Sequence, residues 1–454
     1  MRTLFLVITV LTTGQLAAST RPNIVLLFVD DLGWYDVGYR NQRFETPNID
    51  RLADESLEFE RAYIASPTCS PSRATLLTGK HPARLGIVRH IPSGSEYGFD
   101  KYGRTETEFH YWEGDPAQFP SRNWLPLEHT TYAEALGELG YYNQFIGKWH
   151  LGHEPYHPIR QGFDSQIGTA NVGHPKSYYP PFFKDSDAFA DKSDKEKHYL
   201  TDVLTDEAVS FIEGYRRDQP FMLSLWYYNV HRPPIARRDL KRHFEAKGLS
   251  GADAIYAAQV RAVDESIGRI RGALSRRGIA RETVVVFLSD QGSWYPNLPL
   301  RGTKRVDTLG EGGSRVPLLI HWPGVTRANS KNRSLVQSTD LFPTFVEIAG
   351  GHPPKDADLD GVSLVSTIRS NRVLDRGKPL IGYRAYQDLY ASVRDGDWKL
   401  LAYRSGKVSL YNIAEDESEQ TDLSKARPVM VQRLTRELIE WEKQMNVTKY
   451  SGVQ

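Results

Sequence analysis

The chain reads as an α/β protein: a large, mostly parallel sheet flanked by helices, followed by a small α+β domain. Three observations carry that reading. Four runs, Asn23 to Val29, Tyr142 to Ile146, Phe221 to Val230 and Thr283 to Leu288, are too uniformly apolar for strands with one wet face, so they are expected to be buried on both sides. Helical patterns lie between them, as crossovers between parallel strands require. After about residue 375 the pattern changes to short strands and one amphipathic helix.

In chain order, residues 1–19 combine Arg2, an apolar run from Leu4 to Leu11, and the small residues Ala17 and Ser19 at cleavage spacing. This predicts a signal peptide and an exported protein, periplasmic or secreted. Eight apolar residues fall short of the roughly 20 that a spanning helix needs, and no later stretch reaches that length, so no membrane partner is expected. Thr131 with Glu134 three residues on forms a capping box, and that helix should stop at Gly140. Further helices are expected over Leu204 to Ile212 and Ala252 to Leu274. The C-terminal part should hold strands Leu380 to Arg384, Tyr390 to Tyr403 and Val408 to Asn412, then a helix from Val429 to Met445. The expected division is residues 20–375 for the catalytic domain and 376–454 for the C-terminal α+β subdomain.

Composition narrows the function. With 454 residues, 40% of them hydrophobic and 25% charged, the chain can bury a large core and is not disordered. Lys plus Arg number 57 against 56 acidic residues, and loss of Arg2 with the leader makes them equal, so no global charge draws the chain to nucleic acid. Cys69 is the only cysteine, which rules out an intrachain disulfide and leaves a lone thiol in an oxidising compartment to be explained.

Each apolar run is followed by titratable residues: Asp30 and Asp31, Lys148 and His150, His231, and Asp290 with Gln291. Ligands of open α/β sheets bind beyond the carboxyl ends of the strands, so residues over 250 positions apart can converge there. Asp30, Asp31 and Asp290 with the Gln291 amide would place three negative charges and a neutral oxygen together, an arrangement that needs a cation. The donors are hard oxygens, which suit calcium best and magnesium or manganese less well. Arg73, Lys148 and Lys304, with His150 and His231, are groups that grip a tetrahedral oxyanion. A cation and basic side chains converging on an anionic ester is the resulting expectation. Recognition should come from loops. Ile91 to Arg122 is rich in aromatics, including Tyr97 and Trp112, and His153 to Phe183 carries His153, His174 and Lys176. With Arg384 and Tyr386, these suit a ligand that carries rings and negative charge, and His153, His174 and Arg384 are the substrate candidates.

The stretch Cys69-Ser70-Pro71-Ser72-Arg73-Ala74-Thr75-Leu76-Leu77-Thr78-Gly79 resembles the maturation and active-site motif of type I sulfatases, formylglycine-dependent enzymes of the alkaline phosphatase superfamily. The resemblance continues through Asp30-Asp31, Gly147 to Gly152, His231, Ser289 to Gly292, Lys304, Glu311 to Pro317 and Val393 to Lys399, so it covers essentially the whole mature chain. It implies an alkaline-phosphatase-like fold and a separate maturation enzyme that oxidises Cys69 to Cα-formylglycine. It also implies one calcium ion held by Asp30, Asp31, position 69, Asp290 and Gln291. An aldehyde hydrate offers two hydroxyls, one to attack sulfur and one to expel sulfate later. By the same resemblance, the metal and Arg73 activate the first hydroxyl and His150 takes the proton of the second. Lys148 and Lys304 hold sulfate oxygens, and His231 with Lys304 protonates the leaving alcohol, a task suited to an imidazolium. One departure is Gln291, where the family more often has Asn, which shifts the fourth protein ligand by a methylene. The implied function is hydrolysis of a sulfate ester on a polysaccharide or its oligosaccharides, such as ulvan, carrageenan, fucan or glycosaminoglycan. A phosphomonoester or phosphonate hydrolase of the same superfamily and a non-catalytic sulfated-glycan-binding protein are the alternatives.

Overall fold

The structure is a computed structural model describing residues 21–453, apart from 185, 187, 195, 196, 355 and 356. The leader read at residues 1–19 lies outside them. The strands in chain order are β1 (Asn23–Val29), β2 (Leu57–Tyr63), the short pair β3 (Phe109–His110) and β4 (Ser121–Arg122), β5 (Tyr142–Gly147), β6 (Ser165–Ile167), β7 (Phe221–Trp226), β8 (Thr283–Ser289), β9 (Leu318–His321) and β10 (Ser330–Gln337). Eight of these make one sheet in the order β10-β2-β9-β8-β1-β7-β5-β6. All neighbours in it run parallel except β9, which is antiparallel to both β2 and β8. A second, antiparallel sheet follows, made of β11 (Leu380–Tyr383), β12 (Leu389–Asp395), β13 (Trp398–Tyr403) and β14 (Val408–Asn412) in sequence order.

The apolar runs owe their uniformity to two cores. Val25, Leu27 and Val29 of β1 face one core, which includes Val203 and Leu204 of helix Leu200–Gly214 and Ile267 and Ile270 of helix Gly251–Arg276. Ile24, Leu26 and Phe28 face the other, which includes Leu77 of helix Cys69–Thr78, Leu136 of helix Tyr132–Glu138 and Phe345 of helix Leu341–Ile348. A period of two with both faces dry leaves no polar positions.

Differences from the sequence reading have local causes. The run Phe221 to Val230 leaves the strand at Trp226. Tyr227 still donates to the Phe28 carbonyl at 2.8 Å, but the chain then turns across the end of β1, where the Val230 N–H meets the Asp30 carbonyl at 2.5 Å. Tyr390 to Tyr403 is a hairpin rather than one strand. Asp395 pairs with Trp398 around Gly396, whose φ of +57° favours glycine. The capping box is present, with the Thr131 hydroxyl accepting from the Glu134 N–H at 3.1 Å and the Glu134 carboxylate accepting from the Thr131 N–H at 2.8 Å. The helix ends at Glu138, and Gly140 follows at φ +81°.

The second sheet is fastened to the first by a buried ionic cluster. Lys399 of β13 reaches Glu311 at 2.9 Å and Glu419 at 3.0 Å, while Tyr63 of β2 donates to Glu311 at 2.7 Å and Arg394 of β12 donates to the Tyr63 oxygen at 3.2 Å. Burial opposes the charge on Glu311, yet Lys399, Arg394 and Arg315 hold its carboxyl at about 2. His81 is a neutral counterpart. Its Nε2 donates to the Ile381 carbonyl at 3.2 Å, its Nδ1 accepts from the Ala83 N–H at 3.4 Å, and its ring meets Trp441 edge-on at 4.7 Å.

Burial pushes the His81 imidazole down to about 4 from 6.5. On acidification the unfolded chain therefore takes up this proton first, and a contribution on the order of 3 kcal/mol is present above pH 6.5 and lost between pH 6.5 and 4. Urea unfolding of the wild type and His81→Gln should show a stability gap at pH 7.5 that narrows by pH 4.5; an equal gap at both values would mean that His81 is not held neutral.

Candidate active site

The site is assembled where β1, β5, β7 and β8 end. Asp30 and Asp31 follow β1 directly; the Asp30 N–H donates to the Asn229 carbonyl at 2.9 Å, and the Asp31 N–H donates to Asp290 Oδ1 at 3.0 Å. Asp31 and His150, each just past a strand end, both adopt left-handed backbone, at φ +63° and +58°. Such conformations cost a non-glycine residue energy and persist where the surroundings enforce them. Cys69 opens helix Cys69–Thr78, with the β-region residue Thr68 before it, so the helix N-terminus points its unpaired N–H groups at this position.

Five of the candidate residues line a cleft of about 1140 Å3: Cys69, His150, His231, Gln291 and Lys304. Behind them Asp30, Asp31, Arg73, Lys148 and Asp290 are fully buried. Arg73 donates to Asp290 Oδ2 at 2.9 Å and to the Lys148 carbonyl at 2.9 Å, and lies 3.7 Å from Asp30 Oδ1. Lys148 pairs with Asp30, and Lys304 reaches Asp31 Oδ2 at 2.8 Å. The Cys69 sulfur lies 3.1 Å from Gln291 Nε2, 3.5 Å from Lys304 Nζ and 3.8 Å from Asp30 Oδ1. Burial alone would raise the thiol, but Lys148 and Lys304 pull it well below its ordinary range, so an anion at this position is favoured.

The carboxylates behave oppositely. Burial and the nearby Asp30 push Asp290 up to about 7, and burial likewise carries Asp31 well above the usual carboxylate range despite Lys304. This is a site that wants more positive charge than its own side chains supply. Ligand atoms of Asp30, Cys69 and Asp290, and of Asp31, Cys69 and His231, come within 4.8 Å of one another. Gln291 Oε1 is buried without a hydrogen-bond partner, an orphaned oxygen beside three carboxylates. The donor set therefore fits a hard divalent cation such as calcium.

The two imidazoles are held differently. His150 Nε2 donates to the Ile91 carbonyl at 2.9 Å, and its Nδ1 is buried without a partner, a free lone pair able to take a proton. Burial pushes His150 down and His231 down to about 3, with Lys304 and Lys148 adding to the second shift. His231 Nδ1 donates to the Arg232 carbonyl at 2.8 Å and Nε2 lies 3.7 Å from Asp31 Oδ2. Burial and the two lysines thus oppose the imidazolium expected at His231, and an anion beside it would favour one.

The substrate candidates separate. His174 and Arg384 line the cleft, and the His174 ring stacks on His231 at 5.6 Å. His153 instead packs against Trp124 and Tyr156, away from the cleft wall. Lys148 points at Asp30 rather than into the cleft. Sequence reasoning passed over Arg89, His90, Arg232, Trp294 and Arg305, which also line the cleft. Arg232 directly follows His231, Arg305 directly follows Lys304 and Trp294 lies four residues after Asp290, so adjacency to recognised positions could have drawn attention to these three.

A family model described as Sulfatase matches residues 22–351, and one described as N-sulphoglucosamine sulphohydrolase, C-terminal, matches residues 304–444. N-acetylgalactosamine-6-sulfatase of Mus musculus is 34% identical over 404 residues, covering 84% of this chain and 72% of its own; that of Homo sapiens is 34% identical, covering 82% and 70%. Among solved structures, Ps i-CgsB in complex with k-i-k-neocarrahexaose superimposes with a TM-score of 0.80 at 31% identity, covering 94% of each chain.

Gly173 lets the His150 ring sit where it does, since a Cβ there would lie 2.2 Å from His150 Cε1. Gly173→Ala should therefore displace the imidazole and, if His150 acts in the chemistry, lower turnover at least ~10-fold, with little change in melting temperature, because ångström-scale misplacement of a reacting group is costly. Unchanged kinetics with a native melting temperature would dissociate His150 from the chemistry.

Proposed function

The chain belongs to the type I sulfatase family of sulfuric ester hydrolases, and from that premise we propose that it removes sulfate from a sugar of a sulfated polysaccharide or its oligosaccharides, using Cα-formylglycine at position 69 and one calcium ion. The observation that carries this reading is the setting of the only cysteine: at a helix N-terminus, in the floor of a cationic cleft, with Lys304 and Gln291 at its sulfur and three carboxylates behind it. A structural thiol needs none of these neighbours. Position 69 fits a group that must carry negative charge.

Asp30, Asp31, Asp290 and Gln291, with the group at position 69, would hold the calcium, and its charge would lower the pKa of that group's hydroxyl and polarise a sulfate oxygen. The hydrated aldehyde supplies a nucleophile and, on the same carbon, a second hydroxyl whose deprotonation can release sulfate without an external water. Arg73 fixes Asp290 and the Lys148 backbone, which keeps the carboxylates from drifting when charge builds up in front of them. Lys304, at the junction of cleft and carboxylates, can meet a sulfate oxygen and the leaving oxygen. His150 offers its unpartnered Nδ1 as the base, and His231, at the cleft wall, would take up a proton from solvent as the anionic substrate arrives and pass it to the departing alcohol oxygen. Lys148, paired with Asp30 and the first charge acting on position 69, would stabilise a sulfate held there.

The substrate class rests on the cleft and on the relatives. N-acetylgalactosamine-6-sulfatase acts on a sulfated amino sugar, and Ps i-CgsB has been captured with a neocarrahexaose. A cleft of about 1140 Å3 exceeds what one sugar fills, and Arg89, Lys176, Arg232, Arg305 and Arg384 stand around it. Carrageenan, ulvan, fucan and glycosaminoglycan oligosaccharides all have the required chemistry. We assign residues 20–375 to the catalytic domain and 376–454 to the subdomain that completes the cleft, read the protein as exported to the periplasm or beyond, and expect a formylglycine-generating or sulfatase-maturing enzyme as its partner in biosynthesis. No helix among the described residues is long and apolar enough to cross a membrane.

Two measurements test this. Mass spectrometry of the peptide containing residue 69 should show a loss of about 18 Da relative to cysteine when a maturation enzyme is co-expressed, together with sulfate release from sulfated oligosaccharides; a matured protein that releases none overturns the assignment. Chelation should remove activity and lower the melting temperature, with calcium restoring both, since an ion held 100-fold above its dissociation constant contributes about 2.7 kcal/mol.

A further inference from the structure

Hydrolysis of one sulfate ester leaves two guanidinium groups of the cleft without a task. Arg89 is 3% exposed, lines the cleft and forms no ion pair among the described residues. Its Nε and Nη1 are buried without hydrogen-bond partners. The group is instead clamped by rings, 3.2 Å from the Trp112 centroid, 5.4 Å from Tyr386 and 5.9 Å from Tyr97. Arg384, also buried, donates through Nη1 to the Pro67 carbonyl at 2.7 Å and the Lys304 carbonyl at 3.2 Å, while its Nε is unpartnered and its guanidinium lies 4.9 Å from the same Tyr386 ring. The Tyr386 hydroxyl shares a 3.1 Å hydrogen bond with Thr68, the residue before Cys69. Among the residues lining this cleft, Glu96 is the only carboxylate, and neither arginine pairs with it.

A buried guanidinium without an anion is costly, and a second one against the same ring compounds the cost. Burial pushes Arg89 down to about 10, and Tyr386, Tyr97 and Asp115 offset that only in part. Aromatic rings soften that cost and hold the planar fork rigid, with Tyr97 the one side-chain hydrogen-bond partner, but Nε and Nη1 remain unused. We propose that Arg89 and Arg384 form a preformed subsite for a second anionic group of the substrate, a carboxylate or a sulfate carried by the sugar that bears the scissile sulfate or by its neighbour. This rests on the sulfatase reading above and adds to it: substrates with two anionic groups are preferred over those with one. Arg384 also anchors the backbone of Pro67 and Lys304, so its replacement would disturb the reacting groups, and Arg89 is the clean probe.

The test compares wild type, Arg89→Gln and Arg89→Lys on 4-methylumbelliferyl sulfate, on a disaccharide with one sulfate and one uronate, and on a neutral-backbone disaccharide with two sulfates. Arg89→Gln should lower kcat/KM on one of the two dianionic disaccharides by roughly 10- to 100-fold, chiefly through KM, and leave the aryl sulfate within about 2-fold, as expected for a lost charge-assisted hydrogen bond. Arg89→Lys should recover part of the loss. Whichever disaccharide responds identifies the anion as carboxylate or sulfate. Equal losses on all three substrates, or none, overturn the subsite. Calorimetry of the same disaccharides on Cys69→Ala, with and without Arg89→Gln, requires no turnover: a loss of affinity for the dianionic ligand supports the subsite even if no matured chain releases sulfate, whereas unchanged affinity removes it even if the enzyme is a sulfatase.

Discussion

Three carboxylates buried within a few ångströms of one another are the constraint around which this protein is organised. Asp30 and Asp31 leave β1 and Asp290 leaves β8, and because those strands are neighbours in register, with Val29 beside Ser289, the acids cannot avoid each other. In water they would be harmless. In a site with no solvent contact they demand cations, and the surrounding chain supplies Arg73 from a helix, Lys148 from the end of β5 and Lys304 from a loop after β8. The left-handed backbone at Asp31 and His150, the turn that takes the chain off β7 towards His231, and the orphaned Gln291 oxygen all follow from serving this one cluster.

The parts most legible in the sequence are those whose pattern reflects burial. β1, β5 and β8 are apolar because both their faces are dry, and the candidate site residues follow them because sheet ends are where ligands of such folds bind. β10 escaped the same reading because Ser330, Asn332 and Ser334 occupy its buried positions while its others include the exposed Lys331 and Arg333, so apolar run-finding sees nothing. The hairpin at Gly396 was hidden for the opposite reason, since β12 and β13 are both apolar and only a two-residue turn separates them. Among site residues, those in the strand-end motifs were readable, whereas Arg89 and Arg305 look like any solvated arginine until the fold puts aromatic rings around them. The placement of His153 against Trp124 and Tyr156 shows the same limit in reverse, because a histidine in a plausible loop need not face the ligand.

The cleft also divides its labour by origin. Groups around the reacting position come from the ends of the central strands and from a helix packed on the sheet, both rigid. The walls come from loops and from the start of the C-terminal sheet, where Arg384 and Tyr386 follow β11 and reach back to Pro67 and Thr68. The buried cluster of Glu311, Lys399 and Glu419 keeps those two parts in fixed relation, so the second sheet acts as a wall of the site as well as a support.

The burial of Cys69 sets a timetable. At 4% exposure, with Gln291 and Lys304 at its sulfur, the residue is out of reach of another protein's active site once the fold has closed. Those two neighbours lie more than 200 positions later in the chain, so during synthesis Cys69 emerges long before the groups that will bury it. Any enzyme that oxidises this cysteine has to act in that interval, on an extended segment rather than on a finished site. If activity depends on that oxidation, folding and modification compete for the same interval, and a variant that folds faster without being modified sooner would be less active.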